Sequence, residues 1–232
     1  MNPEMSTDDP KGALLAQFAT LAKALGHANR LELIEFIAQG ERSVDSLARR
    51  CGLSIGNTSQ HLHQLRRAGL VTSRREGKHV LYRLADEAVI GLLVTLRQIA
   101  ERNIAAVQQI VTGYFLERDA LEPVSRAQLV ARLNEGTVTL LDVRPEDEFV
   151  AGHLSNAINI PLHALQSHLA ELPDDQEIVA YCRGAYCVLS FEAVAALRSR
   201  GFNARRLEDG FPEWKAAGLP VEQVPVATPQ SR

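Results

Sequence analysis

The chain has 232 residues, 46% hydrophobic and 23% charged, with a net charge of −3. That length is long for one compact domain and comfortable for two. No apolar run approaches the ~20 residues that span a bilayer, and the opening MNPEMSTDDPKG lacks the apolar core of a secretion signal. The expectation is therefore a cytoplasmic protein with no membrane partner, whose thiols stay reduced and which holds no structural disulfide.

Charge is uneven along the chain. Residues 1–121 carry 15 Lys/Arg against 13 Asp/Glu, and residues 122–232 carry 10 against 15. Within 42–83, nine basic residues stand against Asp45 and Glu76 alone. Such a block suits a polyanion, although a solvated charged face reads the same way.

The first half reads as helical. ALLAQFATLAKALG places Leu14, Leu15, Phe18, Leu21, Ala22 and Leu25 at helical spacing. NRLELIEFIAQG does the same and stops at Gly40. SVDSLARRCG is a short helix from Ser43 to Gly52. NTSQHLHQLRRAG is the next, with Ser54 or Asn57 as N-cap and Gln60 three residues after Asn57, as in a capping box. Two short helices joined in this way make a helix-turn-helix. LVTSRREGKHVLYRL predicts a hairpin, Leu70 to Arg74 and His79 to Leu84, about a Glu76-Gly77 turn. Such a basic hairpin is a wing. A long helix should follow from Asp86 to about Phe115, with a packing seam of Val89, Leu93, Leu96, Ala100, Asn103, Val107, Ile110 and Tyr114.

Pro123 should end that helix, and Ser125 with Gln128 caps the next. From there strand VTLLDV, a helix, strand AINIP, helix HALQSHLAEL, strand EIVAYC, helix VLSFEAVAALRSRG, strand ARRLEDG and helix PEWKAAG alternate. Alternation of this kind predicts an α/β domain with a mostly parallel sheet. The expected layout is a mostly α domain over 11–119, the α/β domain over 123–222, and a Pro-, Gln- and Ser-rich disordered tail over 223–232.

In the helix-turn-helix, Asn57 and Gln60 can each pair with adenine, with Ser54, Ser59 and His63 on reachable faces. Arg66, Arg67, Arg74, Arg75 and Lys78 are phosphate candidates, whereas Leu62 and Leu65 point inward. The set LAKALGHANRLELIEFI, LARRCGLSIGNTSQHLHQLRRAGLV and REGKHVLYRL resembles the ArsR family of winged-helix repressors over residues 14–117. The resemblance implies a homodimer, paired through its first and last helices, on a double-stranded DNA operator. Many members of that family sense metals or arsenite through Cys or His. Here RSVDSL at 42–47 has no cysteine, the long helix has neither residue, and Cys51 stands alone as a small apolar filler. A signal is expected to enter elsewhere.

Cys182 ends an apolar strand and Val188 begins a helix, so Arg183, Gly184, Ala185, Tyr186 and Cys187 must turn the chain between them. A loop of this kind aims N–H groups at the Cys182 sulfur, and the helix N-terminus adds positive potential; both favour the thiolate. Gly184 would let the backbone turn tightly, and Arg183 would attract an anionic donor. LLDVRPEDEFVAGHLSNAINIP, VAYCRGAYC and LEDGFPEWKAAGLPV resemble, in order, three signatures of the rhodanese sulfurtransferases. The resemblance implies that Cys182 carries sulfur as a persulfide, with a small donor such as thiosulfate or polysulfide and thiosulfate sulfurtransferase activity. It also implies that Asp142, Arg144, Glu148 and His153 form a structural frame. Cys187 stands where the family often has a basic or hydroxylic residue. It is either a thiol that resolves a Cys182 persulfide into a disulfide or a semi-buried thiol facing away.

No metal or other cofactor is expected, since one cysteine pair falls short of a tetrahedral zinc site. The function expected is a DNA-binding regulator, a repressor by family, that couples sulfur or redox state to DNA binding. Two alternatives stand beside it. One is a sulfurtransferase whose DNA domain controls only its own operon. The other is a metal- or arsenite-responsive repressor using Cys182 and Cys187 as a thiolate pair.

Overall fold

The computed structural model describes residues 9–115 and 123–224. The expected boundary segment 116–122 and tail residues 225–232 lie outside the described residues. By packing, the chain divides between Val89 and Ile90, so most of the long helix packs with the second unit rather than with the helical domain read from the sequence.

In the first unit, α1 (Pro10–Leu25) and α2 (Ala28–Ala38) precede β1 (Arg42–Ser43) and α3 (Val44–Arg50). After them come α4 (Ile55–Arg67), β2 (Val71–Glu76) and β3 (His79–Leu84). The strands form an antiparallel sheet in the order β1-β3-β2, with Glu76 opposite His79 at the hairpin end. Gly77, at φ +58°, supplies the left-handed backbone the turn requires. Leu33, Ile34, Ile37, Leu47, Leu62 and Leu65 are fully or nearly fully buried and make the core. Buried Arg30 ties this core together. Its guanidinium donates to the last carbonyls of α1, Lys23 O at 2.9 Å and Ala24 O at 2.5 Å, and to Gln64 Oε1 on α4 at 2.6 Å. A cation at a helix C-terminus also meets the negative end of the helix dipole.

The second unit begins with α5 (Ala88–Asn103), then α6 (Ala105–Ile110) and a π-helical turn, Val111–Phe115. The single helix expected over Asp86 to Phe115 is thus broken at Ile104, whose backbone is extended at φ −114°, ψ 107°. The break has a local cause. Side chains take the carbonyls at the end of α5: Arg102 donates to Gln98 O, Asn103 to Ile99 O, and Gln108 to Arg102 O, at 2.8 to 3.2 Å. Asn103 therefore closes a helix and does not sit within a continuous seam.

The α/β part runs α7 (Arg126–Glu135), β4 (Val138–Asp142), α8 (Glu146–Ala151), β5 (His153–Leu154) and β6 (Ile158–Asn159). It continues through β7 (Glu177–Tyr181), α9 (Val188–Arg198), β8 (Ala204–Arg206), α10 (Phe211–Ala216) and β9 (Val221–Glu222). β6-β4-β7-β8 form a parallel sheet, as the alternation of elements predicts, and β5 pairs antiparallel with β9. Capping by Ser125 and Gln128 is present as a full capping box. Two expected elements are shorter or different. HALQSHLAEL forms 3₁₀ turns, Leu162–Ser167 and Leu169–Glu171, because Ser167 Oγ and His168 Nδ1 both engage Ala164 O and divert it from an α-helical ladder. ARRLEDG is a strand only to Arg206.

Side chains alternate along β7 and divide the core in two. Ile178, Ala180 and Cys182 face one cluster with Ala193, Val194 and Leu197 of α9. Val179 and Tyr181 face the other, with Leu129, Leu154, Phe211 and Trp214. The period of two thus delivers Cys182 to the side of the sheet that α9 covers. Among the described residues, no helix is long and apolar enough to cross a membrane.

Candidate functional site

The first candidate surface is α4 with the hairpin. Ser54 is the N-cap of α4: its hydroxyl accepts from Asn57 N at 3.2 Å, and its carbonyl accepts from the Thr58 hydroxyl at 3.0 Å. Ser54, not Asn57, therefore starts the helix, which leaves the Asn57 amide exposed on the first turn. Gln60, His63, Arg66 and Arg67 are exposed as well, and Ser59 is half-buried. Thr58, His61, Leu62 and Leu65 are buried on the opposite side. Arg66 reaches His63 Nδ1 at 3.0 Å and Ser73 Oγ on β2 at 3.2 Å, which links the helix to the wing. Arg75 and Lys78 are exposed at the wing tip. Arg74 is different, because its guanidinium pairs with Glu41 at 2.5 to 2.9 Å and with Glu76 at 3.0 Å. Its charge is already met within the protein. Ile55 is 57% exposed on the first turn of α4 and carries no polar signal in the sequence. An apolar side chain there suits a thymine methyl.

His61 and Cys51 lie behind this surface. The His61 ring packs 4.5 Å from that of His27, and among the described residues its buried Nδ1 has no hydrogen-bond partner. Burial lowers the His61 pKa, and His27 and Arg30 lower it further. Burial and the Glu32 carboxylate push the Cys51 thiol up to about 12, so it stays protonated and unreactive.

The second candidate site is the loop between β7 and α9. Cys182 is 1% exposed, and its sulfur is joined to that of Cys187, with Cα atoms 6.1 Å apart. The expectation that the thiols stay reduced is overturned at this pair, which is the bond a resolving Cys187 would form. The alternative in which Cys187 faces away is also excluded, because the five-residue turn returns Cys187 to Cys182 at the N-cap of α9. Gly184 O accepts from Cys187 N at 3.1 Å and closes the turn.

The flanks of the loop are held from several sides. Glu148, fully buried on α8, takes the Arg183 guanidinium in a two-pronged pair at 2.7 to 3.1 Å. Arg183 is thus an anchor of the loop on α8, which differs from its expected role of attracting a donor. Arg206 Nη1 donates to Ala185 O at 3.4 Å, and its guanidinium lies 4.2 Å over the Phe191 ring. Phe211 N donates to Cys182 O at 3.0 Å. The close backbone approach belongs to Gly210 rather than to Gly184: a Cβ at Gly210 would collide with the backbone of Arg183 and Gly184. Glu213 accepts from Gly210 N at 3.1 Å and holds that approach.

Beneath the loop lies the expected frame. Arg144 is fully buried and binds the Asp142 carboxylate at 2.6 to 3.1 Å, Gly152 O at 2.7 Å and the Phe211 ring face at 4.4 Å. The Tyr181 hydroxyl accepts from Leu154 N at 3.1 Å and bonds Asp142, and burial raises its pKa. His153 stacks on Phe149 at 3.7 Å.

A helix-turn-helix with a wing, followed by a parallel sheet whose central strand ends in a cysteine loop, defines a DNA-binding domain joined to a rhodanese-like domain. A helix-turn-helix domain model matches residues 25–74, and a rhodanese-like domain model matches residues 125–217. The chain is 43% identical over 215 residues to the HTH-type transcriptional regulator Rv0324 of Mycobacterium tuberculosis, covering 93% of this chain and 94% of that protein. It belongs to that family of helix-turn-helix transcriptional regulators. The halves have separate relatives too. One is the HTH-type transcriptional regulator YgaV of Escherichia coli, 37% identical over 84 residues, 36% of this chain and 85% of that one. Another is a sulfurtransferase of Allochromatium vinosum, 32% identical over 85 residues, 36% of this chain and 78% of that one. A solution structure of the homodimeric winged helix-turn-helix DNA-binding domain of Mb0332 from Mycobacterium bovis has a TM-score of 0.40 and 37% identity, covering 44% of this chain and 94% of that one.

Proposed function

We propose that the protein is a homodimeric repressor whose operator affinity is set by the sulfur state of Cys182. The observation that carries the reading is the Cys182–Cys187 pair at the end of β7, held in a fold related to a sulfurtransferase. In the reduced protein the Cys182 thiolate attacks the outer sulfur of thiosulfate. A Cys182 persulfide forms and sulfite leaves. The Cys187 thiolate then attacks Sγ of Cys182 and expels hydrosulfide, which leaves the disulfide. Electrons balance without a further oxidant, because the sulfane sulfur is reduced as the two thiols are oxidised. A reductant returns the dithiol form.

Ser54 positions α4, with Asn57, Gln60 and His63 facing the base edges and Ser59 and Ile55 beside them. Arg66, Arg67, Arg75 and Lys78 bind phosphates. Fluorescence anisotropy on a duplex selected from a random-sequence pool with the reduced protein tests the coupling. Thiosulfate or polysulfide should change affinity by about 5–150-fold. The same affinity before and after treatment, with mass spectrometry showing the disulfide, would refute it. The resemblance of residues 125–217 to sulfurtransferases supports a second reading, an enzyme that represses only its own operon. Sustained turnover of thiosulfate and cyanide with donor-independent DNA binding would select that reading.

A further inference from the structure

Tyr186 is the loop residue next to Cys187, and its side chain leaves the sulfur site to meet the helices that open the second unit. Its hydroxyl bonds Glu101 of α5. The guanidinium of Arg97, one helical turn earlier, lies 5.8 Å from the ring centroid. Phe115, at the end of the π-helical turn, packs 4.9 Å from Tyr186 and 5.2 Å from Phe191 of α9. Arg97 is itself placed by Glu101 at 3.8 Å and by Glu213 at 3.4 Å. Glu213 in turn receives Gly210 N beside the loop backbone. Two routes therefore run from the cysteine loop to Arg97 and Glu101: through the Tyr186 side chain, and through Gly210 and Glu213.

We propose that Tyr186 is the positioning residue through which the state of the Cys182–Cys187 pair reaches helix α5. This rests on the sulfur-switch reading of the same loop. The disulfide closes the turn with the Cys187 sulfur against that of Cys182. Reducing the bond, or adding a persulfide sulfur to Cys182 at about 2 Å, puts the Cys187 sulfur at non-bonded distance instead. Cys187 must then withdraw, and Tyr186 is joined to it by one peptide bond. Because the Tyr186 hydroxyl bonds Glu101 and its ring meets Arg97 and Phe115, a shift of the ring acts on Arg97 and Glu101. The dithiol, persulfide and disulfide are discrete covalent states, which is what a defined coupling between distant sites requires. α5 is also the helix whose outer face exposes Leu96 and Ile99, so a shift of α5 alters an apolar surface.

The test uses the full-length protein and measures amide hydrogen exchange of peptides covering α5, reduced and after diamide has formed the disulfide. Wild type should show different α5 protection in the two states. In Glu101→Ala/Phe115→Ala, which leaves the loop sequence intact, the disulfide should form at the wild-type rate by thiol titration while the α5 difference shrinks to what the Gly210–Glu213 route to Arg97 carries. Tyr186→Phe keeps the ring and loses the hydroxyl; it should retain part of the response, and it decides the matter if the double variant fails to fold. A wild-type α5 that exchanges identically in both states would overturn the proposal, as would variants that keep the full difference. Operator affinity separates the two ideas. If α5 responds and DNA binding does not, the repressor reading fails while the transmission contact stands. If DNA binding responds and α5 does not, the transmission contact fails alone.

Discussion

At the scale of single residues, two buried groups carry sharp expectations. His61 is held neutral on the buried side of α4, with its pKa below the ordinary 6.5. The unfolded chain therefore binds this proton more readily than the folded one, and stability rises with pH across that interval. The contribution is fully present above about pH 6.5 and is lost as pH falls below it. Urea unfolding followed at about pH 7.5 and about pH 5.5 should show the first unit weakened at the lower pH, and His61→Gln should flatten the difference. An unchanged pH slope in that variant would show that other groups carry the acid sensitivity. Gly210 is the second case. Its missing side chain is what lets α10 approach the loop backbone. Gly210→Ala should cost about 1–3 kcal/mol by overpacking and should also slow sulfur loading, read by thermal unfolding and by mass spectrometry after thiosulfate. Normal loading with lowered stability would show that the approach serves the fold alone.

At the scale of elements, α4 and the hairpin separate positioning from recognition. Ser54 caps α4 through Asn57 N, so Ser54→Ala should cost about 1 kcal/mol of stability and weaken binding to specific and random duplexes alike. Lys78 sits at the exposed wing tip. Removing it should weaken binding to every sequence and lower the salt slope by about one. A slope equal to wild type would mean that Lys78 faces no phosphate. These elements were readable because each carries a local signal: Ser43 and Ser54 cap helices, Gly77 makes the turn, and a short continuous apolar run leads up to Cys182. What escaped reading was set by contacts distant in sequence or by side chains competing for the backbone. Nothing near Arg183 announces Glu148, 35 residues earlier. Gly210 opposite Gly184 and Arg97 beside Glu213 are equally non-local. The break at Ile104 lies inside a favourable helical pattern, and only the use of the α5 carbonyls by Arg102, Asn103 and Gln108 explains it. Arg74 reads in the sequence as one more cation, and only the fold brings Glu41 beside it.

At the scale of the whole molecule, the two cysteines divide one chemical event into two steps that can be separated. In the proposed reading Cys182 accepts the sulfur and Cys187 decides whether it stays. If the signal is the disulfide, Cys187→Ser should accumulate protein one sulfur atom heavier at Cys182, release no hydrosulfide, and keep the operator affinity of the reduced form. If the signal is the persulfide itself, the same variant should lose or gain operator affinity as fully as wild type, and should recover only when a thiol acceptor removes the sulfur. Cys182→Ser should be blind to donor in both cases. Measuring operator affinity, hydrosulfide release and intact mass on the three proteins therefore identifies which covalent state the DNA-binding half responds to. A Cys182→Ser protein that still responds to thiosulfate would place the input outside this loop and remove Cys182 from the mechanism.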